Sequence, residues 1–492
     1  MTEHTPALIV LVPLVSALLL PILALVSKVL ARGWTLVALL GTHAGSVSTL
    51  IYVLANGRWH YYLGGWAPPW GIEYVLDPLG AGMATLVSFL ALLVAFYSGP
   101  YLKDAAPLKT GSFYALFLLV TAGLLGMVVT GDVFNLFVFL EISALATYGL
   151  VAMGGHRATV AAFRYLIVGT IGATFYLLGI GYLYAVTGTL NMADLAERIM
   201  PLLNSQAVVV AVALILAGFG IKMALFPLHG WLPDTYAYAP APVTTFISAV
   251  MGKVAIYVLY RVFYFILGGT GPVLPALTVL GWAGAVGILA GSLMAIAQRD
   301  FWRMLAYSSI AQMGYIAVGL SLGNMMGITG ALLHILNHAV VKGGLFMVAG
   351  GVFWRTGIRD IPSFIQMSRR MPMSMAVFVA AALSMIGIPP TVGFFSKWYL
   401  VLASIEASAW PFVIVIVVSS LLNAVYFFRI IENSYLRFRT AEEDEVAVGG
   451  TELPATMLVP MVVLGVAVFM LGVLSGEVVT NIISFALPWG TQ

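Results

Sequence analysis

Long apolar runs separated by short polar segments follow one another along almost the whole chain. A helix needs about 20 apolar residues to cross a bilayer core of roughly 30 Å. The first run, from about Ala7 to Leu30, is too long for the apolar core of a signal peptide. The pattern therefore predicts an all-α polytopic membrane protein with about 14 transmembrane helices. The predicted spans are 7–30, 34–55, 78–100, 111–130, 132–153, 160–187, 206–228, 240–265, 274–297, 303–320, 326–352, 374–401, 410–436 and 454–484.

Two of these spans, the seventh and the twelfth, are interrupted. Span 7 combines glycine, lysine and proline between Gly218 and Pro227, and span 12 does so between Gly387 and Lys397. Proline removes a backbone donor and frees carbonyl groups at membrane depth. Interrupted helices at corresponding positions of two halves are typical of transport sites. We therefore predict that helices 7 and 12 are broken.

The two interrupted spans lie five spans apart. Because this offset is odd, the second unit would enter the membrane from the opposite face. We therefore predict two inverted five-helix repeats, formed by helices 4–8 and 9–13. The predicted division of the chain is 1–110 for helices 1–3, 111–265 for the first repeat, 266–440 for the second repeat, and 441–492 for helix 14.

Composition narrows the function classes. Hydrophobic residues make up 61% of the chain and charged residues only 8%, so the lipid bilayer is its expected surrounding. The absence of cysteine excludes disulfides, iron–sulfur clusters and thiolate metal sites. A net charge of +3, spread along the chain, does not indicate nucleic-acid binding. No Walker-type phosphate loop is present, so ATP does not drive this chain by itself. We expect no cofactor.

The basic residues predict the orientation. Of 22 lysines and arginines, four lie inside spans, and Arg58, Arg198 and Arg261 lie on one side. The other 15 lie on the opposite side, in or beside the odd-numbered connections. Cytoplasmic loops carry an excess of lysine and arginine. This bias predicts a multi-pass protein of the cell (cytoplasmic) membrane with both termini outside.

Five charged residues lie inside or at the edge of apolar runs: Glu141, Lys222, Lys253, Lys342 and Lys397. A charge at the centre of a membrane helix costs about 2.5–3.5 kcal/mol on insertion scales, and such residues usually face a bundle interior and carry function. Four lysines and one carboxylate at membrane depth indicate the movement of protons or cations.

Each of these charges also has a structural interpretation. Glu141 could form an ion pair that only fixes two helices, and Lys222 could cap carbonyls freed by the helix break. Lys253 follows Gly252 and could reach the interface from a helix end. Lys397 could do the same from the end of span 12. The functional interpretation is a proton relay, in which moving a carboxylate towards or away from a lysine changes its protonation.

Span 11 carries a stripe of titratable side chains. His334, His338 and Lys342 are spaced i, i+4 and i+8, which places them on one helical face beside Asn337. Histidine titrates near neutral pH and suits proton transfer. The alternative is a structural polar stripe. No metal is predicted, because no third carboxylate or cysteine ligand is near in sequence and no glutamate follows the first histidine.

Three further titratable residues lie near helix ends: Asp132, His229 and Asp234. They are possible accessory members of the relay. Residues at such positions more often orient helices or lie at the interface, and this interpretation is favoured.

Three motifs resemble one family. The segment Lys222–Asp234 (KMALFPLHGWLPD), followed by Ala239–Thr244, and the segment Arg303–Tyr315 (RMLAYSSIAQMGY) are similar to signatures of the proton-translocating, antiporter-like subunits of respiratory complex I and Mrp-type cation/proton antiporters. Gly131–Glu141 (GDVFNLFVFLE) looks most like the D-type Mrp subunit and its relatives in membrane-bound hydrogenases. The resemblance covers nearly the whole chain.

The resemblance implies roles for individual residues. It implies that Glu141, Lys222, Lys253 and Lys397 form the half-channels and the central relay, and it matches the stripe of span 11 to the family's own. One departure exists at Trp302, where the family usually has a lysine before the arginine.

Two classes of function remain open. In the first, the chain is a proton-translocating subunit of a multi-subunit membrane complex. Protons would enter near Glu141 and Lys222, pass Lys253 and the stripe of span 11, and leave near Lys397. The parent complex would be an Mrp-type Na⁺/H⁺ antiporter or, alternatively, a complex I-like or hydrogenase respiratory complex. In the second class, the chain is a scaffold whose polar residues are structural. The expected partners are other membrane subunits, protons and, in an Mrp complex, Na⁺.

Overall fold

The computed structural model describes residues 3–437 and 452–486, and these residues are almost entirely helical. The first half contains α1 (Thr5–Val26), α2 (Lys28–Asn56), α3 (Pro78–Tyr97), α4 (Pro107–Val129), α5 (Val133–Ala152), α6 (His156–Thr187), α7 (Met192–Ile199), α8 (Gln206–Lys222), α9 (Leu232–Tyr238) and α10 (Ala241–Tyr260). The second half contains α11 (Val273–Ala297), α12 (Phe301–Ser321), α13 (Met325–Thr356), α14 (Met367–Arg370), α15 (Pro372–Ile386), α16 (Val392–Glu406), α17 (Trp410–Ile431), α18 (Ala455–Val473) and α19 (Ser475–Val478).

Several helices begin where a short polar side chain can cap the first turn. Asp132 accepts hydrogen bonds from the backbone N–H groups of Phe134 and Asn135, at 2.9 and 2.7 Å. Asp300 and Asn324 cap α12 and α13 in the same way. Such caps satisfy donors that have no partner inside the helix. They explain why the spans begin at these residues.

The prediction of an all-α protein with many spans is confirmed. Within the described ranges, 11 helices are long and apolar enough to cross a membrane. The other three predicted spans correspond to α8, to α12, and to α15 with α16. The predicted breaks are also present: α8 has 17 residues and ends at Lys222, and α15 has 15 residues and ends at Ile386.

One short β-hairpin lies outside the helices. Strand β1 (Trp59–Tyr62) pairs antiparallel with β2 (Glu73–Leu76) in the connection between α2 and α3. Its polar groups fasten it to the ends of neighbouring elements, since the backbone N–H of Gly131 donates to the carbonyl of Glu73 at 2.9 Å and Asn191 donates to the Glu73 carboxylate at 2.8 Å.

Helix α13 is the centre of the bundle. It packs against α10, α12, α15, α16 and α18, and nearly all of its side chains are buried. The packing order is similar in both halves: α4 packs on α5, α5 on α6 and α6 on α8, while α11 packs on α12, α12 on α13 and α13 on α16. This order agrees with two repeats. The domain boundaries stay a prediction, and the one at 441 lies outside the described residues.

A buried ion pair joins the start of α3 to the end of the eighth span. Asp77 caps α3 through the N–H of Gly80 at 2.8 Å and accepts a hydrogen bond from Arg261 at 2.5 Å. Burial alone would raise the pKa of Asp77, but the adjacent Arg261 guanidinium outweighs it and holds the pKa below its ordinary value.

Asp77→Asn should therefore destabilise the protein. Asparagine caps helices as well as aspartate does, so the change removes the negative charge and leaves Arg261 uncompensated. Breaking a buried pair in this way costs about 3–5 kcal/mol. We expect a lower melting temperature in detergent. Asp104→Asn, at an exposed aspartate, is the matched control, and equal melting of both variants would contradict the expectation.

Candidate functional site

A carboxylate and a lysine meet in the first half of the bundle. Glu141 lies on α5, and its Oε1 is 3.9 Å from the Nζ of Lys222 at the end of α8. The side chains are 24% and 6% exposed, respectively. Within the described residues, neither of these two atoms has a hydrogen-bond partner. Buried polar atoms without partners are costly and therefore rare in proteins.

Lys222 is free to face Glu141 because another side chain closes the helix break. The indole N–H of Trp231 donates to the carbonyl of Ile221 at 2.9 Å. The Trp231 ring stacks on Tyr165, with 3.9 Å between ring centroids. Trp231 therefore caps the carbonyl of Ile221 at the helix break. The interpretation of Lys222 as the ligand of the freed carbonyls receives no support from this geometry.

A small cavity connects Lys222 to the next titratable residues. Lys222, Lys253 and His338 all line a cavity of about 10 Å³, which is close to the space that one water molecule needs. Lys253 is 2% exposed and lies in the middle of α10. Its Nζ donates to the carbonyl of Ser248 on the same helix. Lys253 therefore does not reach the interface from a helix end.

The stripe on α13 continues from this cavity. His334, Asn337, His338 and Lys342 are all fully buried. His334 bridges two helices, because its ring nitrogens are 2.9 Å from Ser396 Oγ and from Gln312 Oε1. Which nitrogen carries the proton depends on the tautomer.

His338 and Lys342, the other two titratable residues of the stripe, differ in their hydrogen bonds. Neither ring nitrogen of His338 has a partner among the residues described. Lys342 Nζ donates to the carbonyl of Leu305 at 2.8 Å and to Ser308 Oγ. The stripe therefore contains both a fixed lysine and an unpartnered imidazole.

Lys397 closes the second helix break. Its Nζ donates to the carbonyls of Met385 and Ile386, at 2.7 and 3.2 Å, where α15 ends. It also donates to Ser420 Oγ at 3.1 Å. Only 6% of Lys397 is exposed, so it does not extend to the interface. Gly387 ends α15 at φ +95°, and a Cβ there would lie 3.2 Å from Lys397 Cδ, so glycine allows the close approach.

We call the series Glu141, Lys222, Lys253, His338, Lys342, His334 and Lys397 the polar path. Its members lie on α5, α8, α10, α13 and α16. These residues can hold and exchange protons, and several lack the fixed hydrogen bonds that would make them purely structural. The roles themselves stay a prediction.

The sequence did not predict the neutral polar residues that contact the polar path. Gln312, Ser308 and Ser396 contact His334 or Lys342, and Ser384 donates to Asn337 at 2.8 Å. A signal was present, since Ser308 and Gln312 are spaced i and i+4 on α12 and therefore share a face. Serines are common in membrane helices, so this signal alone is weak.

The accessory candidates lie apart from the path. Asp132 caps α5 at the end where that helix begins. Asp234 accepts hydrogen bonds from Arg164 and Arg303, at 3.1 and 2.7 Å. His229 lies in the break after α8 and stacks on Phe226. These positions favour orienting or interfacial roles. No group of three potential metal ligands occurs within the described ranges.

Known proteins resemble this chain over nearly all of its length. A family model described as NADH:quinone oxidoreductase/Mrp antiporter, TM, matches residues 130–423. The NADH-quinone oxidoreductase subunit N of Desulforudis audaxviator is 58% identical over 99% of both chains. The D-type subunit of the Na⁺/H⁺ antiporter of Alkalihalophilus pseudofirmus is 32% identical over 87% of both chains.

A solved structure agrees with the fold. A chain of the membrane-bound sulfane sulfur reductase, an archaeal respiratory membrane complex, is 30% identical, with a TM-score of 0.90. The alignment covers 98% of this chain and 96% of that one. The two chains therefore share the same fold over nearly their whole lengths.

Proposed function

Because the chain belongs to the family of membrane subunits shared by NADH:quinone oxidoreductases and Mrp antiporters, we propose that it moves protons along the polar path. It is an antiporter-like, multi-pass membrane subunit of a multi-subunit complex of the Mrp or complex I-like kind. The observation that carries the proposal is the distance of 3.9 Å between Glu141 Oε1 and Lys222 Nζ. Neither of these two atoms forms a hydrogen bond with any described residue.

Charge coupling would drive the transfer. Two unit charges about 4 Å apart interact by about 4 kcal/mol at an effective dielectric constant of about 20. Moving Glu141 away from Lys222 would remove most of that attraction and favour release of a proton from the lysine. A proton that then arrives at Lys253 or His338 would make a second positive charge on the neighbouring titratable residue less favourable. Because these residues interact, each proton transfer is a property of the whole group of residues and not of one residue alone.

The parent complex is proposed from the relatives. The 58% identity to a subunit of NADH-quinone oxidoreductase favours a redox-driven complex. The 32% identity to the D-type subunit of a Na⁺/H⁺ antiporter supports an Mrp complex as the second candidate, in which Na⁺ would also move. Affinity purification of the full chain would separate them: iron–sulfur or nickel partners indicate the first, and small multi-span partners alone indicate the second.

We propose that the protein resides in the cell membrane with both termini outside. The bias of 15 basic residues against three supports this orientation. The ends of α4 and α6 that carry Lys109 and Arg157 would then face the cytoplasm, and the β-hairpin would face outwards.

Glu141→Gln tests the proposal. Glutamine keeps the shape of the side chain and removes its charge and its ability to exchange a proton. We expect proton transport by the assembled complex to fall about tenfold or more, measured with a pH-sensitive dye in vesicles and driven by the electron donor or a Na⁺ gradient. Removing a positioned proton donor or acceptor typically has an effect of this size or larger.

The control for this variant is Glu197→Gln, at an exposed glutamate on α7. It should leave transport unchanged. If the Glu141 variant assembled normally and transported protons within twofold of the native rate, the chain would be a scaffold and the proposal would be wrong.

A further inference from the structure

A second feature, separate from the polar path, is a large basic cavity at the face proposed to be cytoplasmic. It has a volume of about 580 Å³ and lies where α4 and α6 begin and where α13 ends. Its basic side chains are Lys109, His156, Arg157 and Arg359, and its aromatic ones include Trp302. We call it the basic cavity.

The cations of the basic cavity are incompletely neutralised. In residues 3–437 and 452–486, Lys109 and Arg157 form no ion pair with a carboxylate, although Arg157 lies 5.9 Å from the centre of the Tyr238 ring. Among its basic side chains, in the part of the chain that the structure describes, only Arg359 has an acidic partner, Asp300, at 3.0 Å. Within that part, Lys109 and Arg157 therefore pair with no carboxylate, and no acidic residue lines the basic cavity itself.

An adjacent cavity shows the contrast. It shares His156 and Arg157 with the basic cavity, and its volume is about 540 Å³. There Asp234 accepts hydrogen bonds from both Arg164 and Arg303. The chain thus supplies its own carboxylate on one side of Arg157 and none on the other.

Trp302 adds a hydrogen-bond donor without an acceptor. It is 3% exposed, it lines the basic cavity, and its indole Nε1 has no partner among the described residues. The Arg359 guanidinium carbon lies 5.2 Å from the centre of its ring. A buried indole N–H usually finds an acceptor. The indole N–H of Trp302 is therefore a hydrogen-bond donor without an acceptor in the described part of the chain, in a side chain that lines the basic cavity.

Exposed apolar side chains lie near the basic residues of the cavity in sequence. Leu108, Val160 and Phe163 are 59%, 43% and 63% exposed. Leu108 precedes Lys109 in sequence at the start of α4, and Val160 and Phe163 follow Arg157 by three and six residues in the first turns of α6. Acyl chains would cover such side chains, and basic pockets between helices on the cytoplasmic side are known to hold anionic headgroups.

We propose that the basic cavity binds the phosphate group of an anionic phospholipid. Lys109 and Arg157 neutralise its charge, Trp302 donates a hydrogen bond to a phosphate oxygen, and the acyl chains lie against the apolar side chains next to the opening. The phosphate chemistry is shared with soluble phosphate, but the apolar border favours a lipid. Nothing in the described residues of this face favours a carboxylate-bearing segment of a partner subunit in the same way.

The test measures lipid retention rather than transport. The complex containing the full chain is purified in detergent, and native mass spectrometry records its binding of short-chain phosphatidylglycerol, phosphatidylcholine of equal chain length, and inorganic phosphate. We expect preferential binding of phosphatidylglycerol. Lys109→Gln and Arg157→Gln should each weaken it about fivefold, the effect of one basic residue near an anionic membrane surface. Trp302→Phe should weaken it about tenfold through the lost hydrogen bond to a charged group.

Arg437→Gln is the matched control, because Arg437 is exposed on the same proposed face and lies outside the basic cavity. It should bind phosphatidylglycerol as the native chain does. Lys109 is exposed, so its variant reports on binding even if the buried Trp302→Phe change disturbs folding. Equal binding by the native chain and the Lys109 and Arg157 variants would overturn the proposal. Binding of inorganic phosphate without a preference for the lipid would also overturn it. The same holds if a structure of the complex shows a partner subunit filling the basic cavity.

Discussion

Replacing Lys222 by methionine is expected to lower proton transport by the assembled complex about a hundredfold, the typical effect of removing a positioned proton donor. Lys222 is the lysine of the polar path whose Nζ has no hydrogen bond to any described residue. Its contact with Glu141 is the place where charge coupling would begin. Methionine has a similar length but cannot carry a proton.

The same change should not unfold the protein. Trp231, not Lys222, caps the carbonyl of Ile221 at the break. Lys222→Met leaves the Glu141 carboxylate without its partner, which lowers stability, whereas replacing both members of a buried pair by uncharged side chains is often neutral. We therefore expect a lower melting temperature together with the loss of transport. The double change Glu141→Gln with Lys222→Met should raise the melting temperature again without restoring transport, a combination that a structural ion pair would not produce.

Lys103→Met controls for the loss of a lysine as such, since Lys103 is exposed. Transport by this variant should equal the native rate. Trp231→Phe gives the complementary result: it removes the carbonyl cap, should lower stability by about 1 kcal/mol, and leaves Lys222 in place. Near-native transport by an assembled Lys222→Met complex would show that the path does not pass through this residue.

The sequence predicts the charged members of the path because their cost in a membrane singles them out. It also predicts both helix breaks, from glycine and proline close to lysine. It does not predict which side chain closes each break. Lys222 and Lys397 have similar settings in sequence, yet Trp231 caps the first break and Lys397 the second. That difference depends on packing between distant segments, such as Trp231 on Tyr165.

Neutral polar partners are harder to predict for another reason. Gln312 and Ser396 carry no charge, so their burial costs less than that of a lysine or a glutamate and does not single them out within an apolar run. Only their contacts with His334 reveal their place on the path. Trp302 is the opposite case. The sequence marks it as a departure from the family pattern, but its meaning requires the cavity that it lines and the unpartnered indole nitrogen.

Lys342→Met is the second change from which we expect a loss of about a hundredfold. Lys342 is fully buried near the middle of α13, one helical turn from His338, and its Nζ donates to the carbonyl of Leu305 on α12. Without it, protons would have to pass from the first half to the second without a titratable group at this position. The carbonyl of Leu305 still accepts hydrogen bonds from Ser308 and Ser309, at 3.0 and 2.9 Å, so the fold should persist.

Ser308→Ala distinguishes a relay from a structural stripe. It removes one hydrogen bond of Lys342 and keeps the lysine. If Lys342 is a relay member, Ser308→Ala should retain most of the transport while Lys342→Met loses it, and both should melt within a few degrees of the native protein. If the stripe is only structural, the two variants should change stability and leave transport similar.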